Sequence, residues 1–213
     1  MRLFVAIPLA DRVSRELAAF VARLRAGESS ESGLRWSAPE SWHITLQFLG
    51  NTTAEQLECL KAHLNEVRAA RVHVELGELG CFDRAGIVFL DVVVTPQLAA
   101  LEKSVVAATS RCGFAAEARP FHPHITLARK LGNKGLRDRG NKKTGPQSPV
   151  DRGGRDAPLR NNVGPGGESG ITPFTAGEFV LYESHLGPGG ARYEALLRVA
   201  LGDKPAPMPS GNG

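Results

Sequence analysis

SWHITLQFLG, residues 41–50, and FHPHITLAR, residues 121–129, contain the same tetrapeptide, HITL. Side chains at i and i+2 of a β-strand point the same way. His43 and Thr45 therefore share one face, as do His124 and Thr126, while Ile44, Leu46, Ile125 and Leu127 turn to the other, apolar face. Six histidines and nine threonines among 213 residues (6 × 9 / 213) give roughly 0.25 chance HxT pairs, so two in identical tetrapeptides mark a repeat rather than coincidence.

The surroundings of the two copies extend the repeat. Upstream of the first lies RLFVAI (2–7), strand-like, then a helical stripe over 12–25 with Val13, Leu17, Phe20, Val21 and Leu24. Upstream of the second lies GIVFLDVVV (86–94), then Thr95-Pro96 as N-cap and first helical residue, and a stripe of Leu98, Leu101, Val105 and Ala108. The copies then diverge. Thr52 and Glu55 make a capping box for a helix with Leu57, Leu60, Leu64 and Val67 on one face, and a strand follows at 72–76. After the second copy a strand is expected at EFVLYES (178–184) and a closing strand, or a short helix, at 191–201. GPGGARY (187–193) reads as a hairpin turn rather than a phosphate-cradling loop. The expectation is a single α+β domain over 1–201, of two similar lobes with the HITL strands as counterparts across a groove.

The chain carries 26 Lys+Arg against 22 Asp+Glu, a net +4, and is 42% hydrophobic, which excludes wholesale disorder, a collagen-like chain and a coiled coil. The charge is local. Residues 131–172 hold eight basic and four acidic residues, 8 − 4 = +4, leaving 18 of each sign elsewhere. That segment also has ten of the 24 glycines, four of the 14 prolines and no aromatic residue, and is expected to be a flexible insertion. Residues 202–213 are expected to be a disordered tail. The apolar run at 3–10 is too short to span a membrane and lacks a cleavage pattern. Cys59, Cys81 and Cys112 form no CxxC pair, so neither a disulfide framework nor a zinc knuckle is expected, and a cytoplasmic, reducing location is.

Two imidazole–hydroxyl pairs facing one groove suit phosphodiester hydrolysis. One imidazole activates water and the other protonates the leaving oxygen, since a pKa near 6.5 serves both tasks. Threonine hydroxyls supply donors for the non-bridging oxygens. No carboxylate cluster stands at metal-ligand spacing, so no metal or other cofactor is expected, and a strained 2′,3′-cyclic ribose phosphate is a fitting target.

With RWSAPESWHITLQFLG, PFHPHITLAR and FVLYESHLGPGGARYEALL, the chain resembles the RNA 2′,3′-cyclic phosphodiesterases of the 2H phosphoesterase superfamily, historically called 2′-5′ RNA ligases. The resemblance implies a bilobal duplication with two mainly antiparallel sheets, helices outside and a central groove. It implies hydrolysis of RNA 2′,3′-cyclic phosphate ends, or of cyclic nucleotides, to 2′-phosphomonoesters. His43 would then be the proton donor and His124 the proton acceptor, with Thr45 and Thr126 on the phosphate. RNA is the expected partner; no membrane and no obligate protein partner are implied. Ligation through a 2′-5′ linkage, and RNA-end binding without turnover, are the alternatives.

Other residues compete less well. Arg129 is a candidate for phosphate or RNA-backbone contact, but its strand parity differs from that of His124. Tyr182 and Trp42 offer base stacking against ordinary core or rim packing, which is favoured. His122 with His124 mimics a metal-binding HxH but lacks a third ligand. His63 and His73 read as structural, and His185 inherits no role.

Overall fold

The computed structural model describes residues 1–27, 33–83, 85–130, 170–187 and 190–202. Its elements are β1 (Arg2–Pro8), α1 (Asp11–Ala26), β2 (Leu34–Trp36), a 3-10 turn (Pro39–Ser41), β3 (His43–Asn51), α2 (Ala54–Asn65), β4 (Val72–Val74), β5 (Leu76–Phe82), β6 (Ile87–Val92), α3 (Pro96–Ser110), β7 (His124–Lys130), β8 (Phe174–Ala176), β9 (Glu178–Gly187) and β10 (Gly190–Ala200). No helix among the described residues is long and apolar enough to cross a membrane.

Two four-stranded antiparallel sheets run in the orders β10-β9-β1-β3 and β2-β7-β6-β5, and β4 pairs with β8. The α+β architecture is the expected one, and the HITL strands occupy equivalent positions: β3 beside β1 in the first sheet, β7 beside β6 in the second. The lobes are not simply the two halves of the chain. The first sheet takes β9 and β10 from the C-terminal part, and the second takes β2 and β5 from the N-terminal part. The β5–β6 hairpin accounts for β5, because it fixes that strand against the second half's first strand.

One apolar core underlies both sheets. Ile44 and Leu46 from β3, Ile125 and Leu127 from β7, and the predicted stripes Val13, Leu17, Phe20, Val21 and Leu98, Leu101, Val105, Ala108 all belong to it. The stripe of α2 contributes Leu60 and Leu64, with Leu57 packed against them. The capping box lies one residue later than read from sequence. Thr53 accepts from the Gln56 amide at 3.2 Å, and the Gln56 side chain accepts from the Thr53 amide at 3.1 Å. Thr52 instead donates to the Gly50 carbonyl. The three-residue strands β2 and β8 and the longer β5 were not expected; of the two alternatives for 191–201, the closing strand is the one formed, as β10.

A disulfide joins Cys59 on α2 to Cys112 just past α3, against the sequence expectation. The two residues are 53 apart, and only the packing of α2 on α3 makes them neighbours, so spacing held no sign of it. Closing a loop of that length restricts the unfolded chain by about 4 kcal/mol. Cys81 on β5 is outside this bridge. Of the expected 131–172 insertion, residues 131–169 lie outside the described residues. Its last residues belong to the fold: Ile171 is 8% exposed, and the Thr172 amide donates to Glu16 Oε2 at 2.9 Å. All of the expected tail but Gly202, whose amide donates to the Ala69 carbonyl, also lies outside them.

Candidate active site

Each HITL strand carries a bulge at its fourth residue. In β3 the partners of Ala6 and Val5 are Thr45 and Gln47, skipping Leu46; in β7 those of Phe89 and Val88 are Thr126 and Ala128, skipping Leu127. A bulge puts two residues opposite one and reverses parity beyond it. Residues 46 and 47, and 127 and 128, are accordingly buried in succession. His43, Thr45 and Phe48 thus share the groove face of the first sheet, and His124, Thr126 and Arg129 that of the second. The parity objection to Arg129 fails for this reason. Its charge acts on His124, and also on His43 and Tyr193 of the other sheet, so the guanidinium lies where the two sheets confront one another.

The two imidazoles are held alike. His43 Nδ1 donates to the Ser41 carbonyl at 2.8 Å, and His124 Nδ1 donates to the His122 carbonyl at 2.9 Å. A carbonyl only accepts, so both rings carry their proton on Nδ1 when neutral and keep Nε2 as a basic lone pair. Aromatic rings surround both. Phe4 lies 4.7 Å from His43 and Tyr193 meets it edge-on at 5.0 Å; Phe89 and Phe82 each lie 5.3 Å from His124. Phe89 fits because Gly80 faces it: a Cβ at residue 80 would come within 2.4 Å of the ring.

Burial sets the protonation states. It pushes the His43 pKa down to about 4, and the positive charges of His124 and Arg129 add to the shift against the opposing pull of the Ser41 carbonyl. His124 is lowered as well, first by burial. Both rings are therefore neutral in the free protein at pH 7. The halves differ in one respect. Asp91, paired with His124 across β6 and β7, accepts from His122 Nε2 at 2.9 Å, where the first half has Pro8 opposite His43. Asp91, Tyr193, Phe4 and Phe89 were not singled out from sequence, since strand pairing alone brings them beside the histidines. Tyr182 stacks on Phe4 at 5.3 Å, whereas Trp42 is 5% exposed and packs in the core. His185 lies with Glu183 and Glu194 on the face of β9 opposite Tyr182, and His63 is beside the disulfide.

The profile of the 2′-5′ RNA ligase superfamily matches residues 13–149. The RNA 2′,3′-cyclic phosphodiesterase of Escherichia coli is 29% identical over 201 residues, 94% of this chain and 96% of that one. The enzyme of the same name from Archaeoglobus fulgidus is 30% identical over 61% of this chain and 72% of its own length. Among solved structures, apo E. coli LigT superposes with a TM-score of 0.67 at 28% identity, over 95% of this chain and 98% of that one. LigT complexed with 3′-AMP gives 0.68 at 27%, with the same coverage. With the repeated HITL strands, the paired imidazoles and the shared architecture, these likenesses establish that the chain belongs to the 2′-5′ RNA ligase superfamily of 2H phosphoesterases.

Proposed function

We propose that the protein is an RNA 2′,3′-cyclic phosphodiesterase that opens the cyclic phosphate to a 2′-phosphomonoester with its own side chains and no metal ion. The observation that carries this reading is the matched anchoring of His43 and His124, each fixed through Nδ1 with Nε2 left to exchange a proton. The names of the E. coli and A. fulgidus relatives support the substrate class.

In this mechanism, water attacks phosphorus in line with the 3′ oxygen. His124 Nε2 takes the water's proton as the new P–O bond forms. His43, protonated on Nε2, delivers its proton to the 3′ oxygen as the P–O3′ bond breaks. Thr45 and Thr126 donate to the non-bridging oxygens, and Arg129 opposes their charge. Binding of the phosphate also solves the problem that burial creates. An anion between the sheets offsets the cost of burying a charged ring and the repulsion by Arg129, and raises the His43 pKa, so the proton donor is loaded as substrate arrives. Tyr182 and its stack on Phe4 form an aromatic wall for the ribonucleotide.

The test is product analysis on an oligonucleotide ending in a 2′,3′-cyclic phosphate, with EDTA present. The expected product is a 2′-phosphate, with turnover lowered about 10²- to 10⁴-fold in His43→Ala and in His124→Ala, the range for losing a general acid or base. Turnover that stops in chelator, or a variant close to wild type, refutes the reading. An excess of joined product over hydrolysed product refutes hydrolysis as the main reaction.

A further inference from the structure

We propose that Cys59, His63 and Cys112 form a metal site for a zinc-class cation, open when the cysteines are reduced and closed when they are joined. Cys59 and His63 stand four residues apart on α2 and so share a helix face. Cys112 arrives from the end of α3. The two sulfur atoms and a ring nitrogen of His63 all lie within 4.8 Å of one another. Ligands of a tetrahedral zinc ion with two thiolates and an imidazole are roughly 3.5–3.8 Å apart, from bond lengths of about 2.0–2.3 Å. Opening the S–S bond frees the two sulfur atoms to separate toward that spacing, with the His63 nitrogen already within 4.8 Å of both.

The surroundings suit an ion of this class. Cys112 is buried, while Cys59 and His63 are half-buried, which leaves a path for the ion. Glu66 Oε2 lies 3.5 Å from His63 Nδ1, where it orients the imidazole, the arrangement common behind zinc-bound histidine. Arg111 lies 3.6 Å from the same carboxylate oxygen and competes for it, leaving the fourth position of a bound ion to solvent or to another donor. Thiolate and imidazole donors favour zinc-class ions over magnesium or calcium. A bound ion would tie α2 to α3 as the disulfide does, and α3 in turn reaches β3 through Thr109, whose hydroxyl donates to Gln47 Oε1 at 2.7 Å.

The two states exclude each other, and their exchange balances. A dithiol gives up two electrons and two protons, becoming a cyclic disulfide, and Cys59 and Cys112 become thiols. Binding of the cation then releases the two thiol protons.

Cobalt(II) and zinc(II) test the site on the full-length protein, prepared oxidised and, without oxygen, reduced by a phosphine. The reduced protein is expected to bind one equivalent of cobalt with thiolate-to-metal charge-transfer absorption, displaced by zinc; the oxidised protein is expected to show none. Cys81→Ser should bind as wild type, and His63→Gln at least about tenfold more weakly, the loss expected even for an outer-shell partner. A second measurement needs no variant. Zinc should shield Cys59 and Cys112, but not Cys81, from alkylation in the reduced wild type, and should raise its melting temperature toward that of the oxidised form. No cobalt spectrum in the reduced protein overturns the proposal. So does equal alkylation of Cys59 and Cys112 with and without zinc, or a signal that persists in the oxidised form.

Discussion

Acidification should weaken the folded protein through His43, and the effect can be isolated. Burial holds its pKa at about 4 in the folded state against 6.5 in the unfolded chain. Between those values the unfolded chain binds more protons than the folded one, so stability is complete above pH 6.5 and falls as pH drops toward 4. From pH 7 to pH 5 the linkage relation gives a loss of about 2 kcal/mol for this group at full burial, and about 1–2 kcal/mol allowing for the partly open groove. The perturbation is His43→Gln, which removes the titrating ring while keeping a polar side chain. Urea unfolding midpoints of both proteins, disulfide intact, are compared at pH 7 and pH 5. The wild type should lose about 1–2 kcal/mol more than the variant over that interval. An equal loss in the two proteins refutes the assignment of the depressed pKa to His43.

Arg129→Gln removes a positive charge that lowers both histidines, so their pKa values rise and the whole profile of kcat/KM against pH should move to higher pH; an unmoved profile separates Arg129 from the histidines. Thr45→Val and Thr126→Val keep the strand-forming shape and delete one donor each, and should each lower kcat by about 10²-fold, measured on a cyclic-phosphate-ended oligonucleotide. Gly80→Ala drives a Cβ into the Phe89 ring beside His124, and should cost about 1–3 kcal/mol in thermal unfolding while also lowering kcat; wild-type values for both would show that the ring has room to move. Thr109→Val takes the donor from buried Gln47 Oε1 and should destabilise by about 1–3 kcal/mol in urea unfolding.

What the sequence disclosed was what periodicity carries. Helix stripes such as Val13, Leu17, Phe20 and Val21 are set by local spacing, and the HITL pairs declare one apolar and one reactive face. Arg129 was misplaced because the bulge at Leu127 depends on how β7 pairs with β6, and the adjacent apolar residues Leu127 and Ala128 were the only trace of it. The cap of α2 was displaced because Thr52 and Thr53 are both competent caps, and only backbone geometry selects the second. Cys59–Cys112, Asp91 beside His122 and Tyr193 beside His43 are tertiary neighbours from distant segments, outside the reach of spacing. Within the single domain, the exchange of outer strands between the two lobes likewise rests on pairing between segments far apart in the chain.

The exchange of outer strands bears on how the chain becomes an enzyme during synthesis. β1 is made first, yet one of its edges stays open until β9 pairs with it, after residues 9–177 have been made. A nascent chain that already carries both HITL strands can pair β3 with β1 but still lacks the two strands that complete that sheet, and its bare β1 edge invites other strands. Premature termination between Lys130 and Glu178 would therefore yield a protein with both proposed proton-transfer histidines but without the strands that complete the first sheet. Proton-transfer competence is, in this architecture, a late product of translation.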